Sequence, residues 1–187
     1  MSTSEIATTD TQSAPIDTFI SNTDWAHFTL GQPEMWSPSL RIAFDICRSS
    51  RFPIILFWGP DLIQLYNDAY VPILGARHPA AFGQRARECW PEIWDAIGPM
   101  LHGVLDTCKA TWSENLLLPL ERNGVPEECY FTFSYSPVQD GETVGGVFCA
   151  VTETTAMVLR ERNARERVAA LAEVDRLKSE FFNNISH

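Results

Sequence analysis

Two turn signals lying close together constrain this chain more than any other feature. Asn123-Gly124 and Asp140-Gly141 separate three strand-like runs: TWSENLLLPL (111–120), ECYFTFSYSPV (128–138) and TVGGVFCAVTET (143–154). Asn-Gly and Asp-Gly supply the positive φ angles that tight hairpin turns need, so the runs they separate should pair antiparallel. The middle run alternates, with Phe131, Phe133 and Tyr135 on one side and Tyr130, Thr132 and Ser134 on the other. A period of two with aromatics on one side describes a sheet that buries one face. Whatever covers that face must come from earlier in the chain.

Earlier residues supply two more strands and several helices. FPIILFW (52–58) reads as a buried strand, Gly59-Pro60-Asp61 as a turn, and LIQLY (62–66) as the returning strand. Ahead of them, Ser37 and Pro38 suit the N-cap and first position of a helix carrying Leu40, Phe44 and Cys47 on one face. Between the strand groups, Asn67 or Asp68 can cap a short helix through Ala69, Tyr70 and Ile73 that closes near Gly75. A longer pattern repeats Ile93, Ile97, Leu101, Val104 and Leu105, and Gly98-Pro99 inside it predicts a kink or a break into two pieces. The order predicts an α+β fold: a five-stranded antiparallel sheet with the middle helices on one face, where a cavity can form.

Composition narrows the function classes. A net charge of −10 excludes the basic face of a nucleic-acid binder. The acid is concentrated before Met157, where 8 basic and 19 acidic residues fall, against six and five from there to the end. The five cysteines, at 47, 89, 108, 129 and 149, have neither disulfide-framework nor zinc-ligand spacing, so no metal site is expected. Cys89, Cys108, Cys129 and Cys149 read as buried small hydrophobes. There is no apolar run of membrane-spanning length and no signal peptide, which predicts a cytoplasmic protein. Residues 1–22 read as a disordered Ser/Thr-rich tail, 23–155 as one domain, and 156–187 as a helical extension.

The order of two strands, helices and three strands resembles a PAS domain, and the wording is similar to PAS domains of cytoplasmic sensor histidine kinases. LGQPEMWSPSLR, FPIILFWGPDLIQLYNDAYVPILG, HPAAFGQ, CWPEIWDAIGPML, TWSENLLLPLERNG, EECYFTFSYSPV and GGVFCAVTETT carry the likeness across residues 30–155. It implies a PAS fold that senses a small ligand or cellular cue. Many such domains close on Asp-Ile-Thr-Glu. Here Ala150, Val151, Thr152 and Glu153 stand there, so Glu153 is the remaining candidate to tie the last strand down. The light-sensing branch needs Asn-Cys-Arg-Phe-Leu-Gln beside a flavin. ICRSSRF around Cys47 precedes the first strand and lacks the Asn, so flavin is not expected.

The extension ends in a second motif. Apolar residues at 164, 168, 171, 174, 177, 181 and 185 make a stripe with charges between, which suits a parallel two-stranded coiled coil. FFNNISH is similar to the start of the H-box of histidine kinases, and the likeness puts Phe181, Asn184, Ile185 and Ser186 on its matching positions. His187 then falls on the phospho-acceptor. A neutral imidazole is a nucleophile near neutral pH. The resemblance implies a homodimer joined through this helix and, beyond residue 187, a kinase catalytic domain that alone would bring ATP. It also implies a response regulator as the next phosphate acceptor. On this reading the chain is an input half, inactive by itself; the alternative is a stand-alone PAS ligand-binding or dimerisation module.

Candidate ligand contacts are Trp90, Trp94, His102, Trp112, Phe131, Phe133 and Tyr135. Large aromatics either line a pocket or fill a core, and both readings stay open. The resemblance implies a haem ligand if His102 turns inward; otherwise it is a partly exposed helix histidine. His27 and His78 receive no role.

Overall fold

The computed structural model describes residues 15–122 and 124–185, apart from the side chains of Phe19 and Asn22. The first fourteen residues of the expected tail, Asn123, Ser186 and His187 lie outside that range. Five strands form one antiparallel sheet: β1 (Ile54–Trp58), β2 (Ile63–Tyr66), β3 (Thr111–Arg122), β4 (Val125–Asp140) and β5 (Thr143–Glu153). Their spatial order is β2-β1-β5-β4-β3, so the last strand lies beside the first. Gly124 and Gly141 take φ of 76° and 66°, the left-handed values that their turn positions demand.

Register creates the apolar face. Tyr135 stands opposite Cys149 and Phe133 opposite Val151, while Ile55 and Phe57 stand opposite Cys149 and Val147. Side chains that face one another across strands share a side, so one surface spans β1, β5 and β4. Between Ser113 and Leu116 the β3–β4 register shifts, with Asn115 at φ 48° and its N–H donating to Thr132 Oγ1 at 3.0 Å. This one-residue bulge leaves Leu118 and Leu120 buried.

Helices supply the rest of the core. After α1 (Ile16–Asn22) comes α2 (Pro38–Ser49), with Ser37 accepting from Leu40 N–H and Pro38 at its first position; α2 packs against β1 and buries Leu40, Phe44 and Cys47. All five residues of β1 are buried, so both of its sides are covered. A 3₁₀ turn (Asp68–Tyr70) runs into α3 (Val71–Leu74), followed by α4 (Ala86–Cys89) and α5 (Trp94–Thr107). α5 lies against β3, β4 and β5.

Asn67 joins these pieces. Fully buried, it accepts at Oδ1 from the N–H groups of Ile54 and Tyr70, at 3.1 and 3.2 Å. Its Nδ2 donates towards the carbonyls of Cys47, Ser50 and Phe52, at 2.8–3.1 Å. One amide therefore fixes the end of α2, the start of β1 and the start of the 68–70 turn. At the far edge, Glu153 accepts from both terminal nitrogens of Arg122, at 3.1 and 2.8 Å, tying the end of β5 to β3.

Two expectations are corrected and a third is narrowed. Residues 16–22 are helical rather than tail: Ile16 is buried and its N–H donates to Asp68 Oδ1 at 2.7 Å, which anchors the helix start. Of the kink or break expected at Pro99, the break does not occur: α5 is one helix through the proline, and burial of Ile97, Leu101 and Val104 holds the turns on both sides. Cys108 is exposed, since it forms the left-handed cap that ends α5, at φ 55°.

The chain divides into two compact units between Glu153 and Thr154. The second unit is α6 (Thr155–Ile185), 31 residues and about 46 Å long at 1.5 Å per residue. No helix among the described residues is long and apolar enough to cross a membrane.

Candidate ligand cavity

The apolar sheet face and the middle helices leave a cavity of about 40 Å³ between them. Its floor is Ile55 and Phe57 of β1, Leu118 and Leu120 of β3, Phe131, Phe133 and Tyr135 of β4, and Cys149 and Val151 of β5. Its roof is Tyr70, Ile73, Trp90, Ile93 and Ile97. Alternation places the floor residues, because each strand offers every second side chain to this side. The Asn67 cap places Tyr70, whose own N–H it receives.

Trp90 is held from two directions. Its Nε1–H donates to Gln64 Oε1 at 2.6 Å, and the Arg77 guanidinium lies 4.6 Å from the ring centroid. Arg77 in turn pairs with Glu92, which also accepts from Glu121 N–H at 3.2 Å. Gln64 is itself buried and donates to Ala81 C=O at 3.2 Å. The tryptophan wall is thus locked to β2, to β3 and to the segment after α3.

Burial raises the Tyr70 and Tyr135 phenols well above the ordinary tyrosine value, and the neighbouring Cys149 thiol adds to the effect. Burial likewise raises the Cys149 thiol. All three groups are neutral and protonated throughout the physiological range.

Of the seven candidate contacts, Trp90, Phe131, Phe133 and Tyr135 meet at this cavity. Trp94, His102 and Trp112 do not. Trp112 pairs in register with Ser134, the opposite parity from Phe133 and Tyr135, and is 68% exposed. His102 lies five residues beyond Ile97, about 140° round the helix. It is exposed, with Nδ1–H donating to Gly98 C=O at 2.8 Å and its ring against Trp94. His102 is therefore not placed to hold haem in this cavity. The space is also several-fold below the roughly 300 Å³ at which drug-sized pockets begin, so neither haem nor flavin fits its present shape. Cys47 lies elsewhere, its Sγ–H donating to Ile54 C=O at 3.6 Å and its thiol pushed up to about 12 by burial. Among the described residues no group of three or more His, Cys, Asp or Glu could hold a metal ion.

Sequence reasoning missed Tyr70, Cys149 and His78. The signal for Cys149 was the Val147-Cys149-Val151 alternation, and for Tyr70 its place three residues after the capping Asn67. His78 is only 4% exposed and meets Tyr66 Oη at 3.0 Å through Nδ1. Nothing in its loop-like surroundings marked it as core.

The described residues that were matched to an H-box sit at the end of α6. Phe181, Asn184 and Ile185 are helical and exposed. Ser186 and His187 lie outside the described residues.

Comparison with known proteins places this architecture. The PAS fold family profile matches residues 48–158. No curated protein matches. Among solved structures, a sensory box sensor histidine kinase from Vibrio cholerae is 16% identical, with a TM-score of 0.41, covering 61% of this chain and 85% of that one. The PAS domain of Bordetella pertussis BvgS is 17% identical, with a TM-score of 0.47, covering 69% and 97%. A domain of an HTR-like protein from Haloarcula marismortui is 18% identical, with a TM-score of 0.41, covering 57% and 100%. The profile spans more than half of the chain, over the strands and helices that build the cavity, and on that match the chain belongs to the PAS fold family.

Proposed function

We propose that this chain is the sensory input part of a two-component histidine kinase. Residues 23–155 act as the sensory domain, and 156–187 as a dimeric rod ending in the phospho-acceptor His187. The observation that carries the reading is the α6 stripe. Val168, Leu171, Val174, Leu177, Phe181 and Ile185 are all exposed, and none of the described residues of α6 is buried. Six large apolar side chains at helical spacing on one bare helix call for a matching partner, and a second copy supplies it. Intrahelical pairs such as Arg165–Glu161 and Arg176–Glu180 flank the stripe and keep its sides polar.

The chemistry follows from the last residue. A neutral imidazole nitrogen of His187 attacks the γ-phosphorus of ATP held by a kinase domain, and ADP leaves. The phosphoryl group then passes to a response regulator. The rod's role is to present the imidazole in line with the phosphate as the sensory domain changes state.

The test is a fusion of a histidine-kinase catalytic core after residue 187. ATP-dependent labelling that is lost in His187→Gln is expected. A folded, dimeric fusion that takes no label would overturn the kinase reading and leave a PAS binding or dimerisation module.

A further inference from the structure

The sheet is not equally wide along its whole length. β4 pairs with β5 from Phe131, opposite Glu153, to Asp140, whereas its pairing with β3 continues out to Arg122 and Val125. Residues 117–122 and 125–130 therefore form a two-stranded arm beyond the sheet, and a ribbon of two strands is marginal without something to pack on. The arm begins beside the bulge between Ser113 and Leu116, where Asn115 takes φ 48°. It also bends back. Arg122 lies six residues beyond Leu116, the register partner of Phe131, which is about 20 Å along a straight strand. An arginine side chain cannot span that distance, yet both its terminal nitrogens reach Glu153.

We propose that residues 117–122 and 125–130 are a hinged strap that lifts off the domain as a unit, turning at the bulge, with Arg122–Glu153 and Glu121–Glu92 as its latch. Its apolar hold on the domain is small: of the described residues in the arm, Leu118, Leu120 and Cys129 are buried. The two leucines close over the cavity rather than over packed side chains, so part of their contact is missing. Two polar contacts make up the difference at the free end: the Arg122 pair with Glu153, and Glu121 N–H donating to Glu92 Oε1 at 3.2 Å. Glu127, on the arm itself and 3.9 Å from Arg122, stays as a partner for the guanidinium when the strap lifts. Lifting uncovers the Leu118–Leu120 side of the cavity and frees Glu153, the last residue of β5, just before the chain enters α6. The inference goes beyond the kinase reading and does not rest on it.

Two native thiols report on the strap. Cys129 lies on the arm and Cys47 on α2, and both are buried. The full 187-residue chain is treated with iodoacetamide under native conditions, and labelling of each cysteine is read by mass spectrometry against its rate in urea. Local opening should label Cys129 about tenfold or more faster than Cys47. Arg122→Gln should raise the Cys129 rate a further several-fold and leave Cys47 unchanged. The charge-swapped chain Arg122→Glu, Glu153→Arg should bring the Cys129 rate back towards wild type, which a general loss of stability would not do. Equal rates at the two thiols in Arg122→Gln, whether both stay slow or both rise, would overturn the proposal, as would a charge-swapped chain that labels as fast as Arg122→Gln. Should Arg122→Gln not fold, Glu92→Ala removes the other latch point and is read in the same way. None of these results bears on labelling of His187 in the fusion, so failure here and failure of the kinase reading are separable.

Discussion

At the scale of single residues, Asn67 and His78 show how buried polar groups can hold a fold or expose it to pH. Asn67 serves five backbone groups from three segments, and no other side chain of its size offers both an acceptor and a two-proton donor there. Asn67→Ala strands those groups in the core and should lower stability by about 3 kcal/mol or more, measured by urea unfolding. His78 acts through protons. Burial depresses its pKa below the ordinary 6.5, and Asp68 works weakly in the opposite direction. Below that value the unfolded chain binds a proton that the folded chain resists, so its contribution is complete above about pH 6.5 and is lost as pH falls towards the depressed folded value. The unfolding midpoint should therefore drop as the pH falls below about 6.5, and the drop should shrink in His78→Gln. An unchanged pH profile in that variant would assign the acid sensitivity to other groups.

At the scale of elements, the close contact of β1 with β5 shows what the sequence could and could not convey. Trp58 stands opposite Gly146, and a Cβ built on Gly146 would fall 2.5 Å from the Trp58 ring and 2.6 Å from the Phe57 carbonyl oxygen. Gly146→Ala should cost about 1–3 kcal/mol by overpacking, seen as a lower unfolding midpoint with the far-ultraviolet spectrum retained. All five strands were legible, because Asn-Gly, Asp-Gly and a period of two are local signals. The pairing of β5 with β1 was not, since it joins residues nearly a hundred positions apart and leaves no local mark beyond the two glycines. The cavity was half legible for the same reason. Phe131, Phe133 and Tyr135 followed from alternation, whereas Trp112 went astray by one step of parity and His102 by its angle round α5. Pro99 signalled a kink or a break, and tertiary burial on both sides of it excludes the break by keeping α5 one helix.

At the scale of the whole molecule, charge and hydrophobicity are distributed differently in the two units. The residues before Met157 carry all the excess acid, while those after it are nearly balanced and carry the apolar stripe. A near-neutral helix with exposed leucines can associate with its own copy without the like-charge repulsion that would keep two acidic surfaces apart. Each stripe leucine removed from water contributes about 1.5–3 kcal/mol, so a few of them decide between monomer and dimer. On the proposed dimeric rod, the wild type should sediment as a dimer and the double variant Leu171→Asp, Leu177→Asp as a monomer at the same concentration. The same variant should keep the unfolding midpoint of the first unit, because neither leucine belongs to its core. If the wild type proves monomeric at every accessible concentration, the stripe has another partner, and a signal cannot pass to His187 by the mutual movement of two rods.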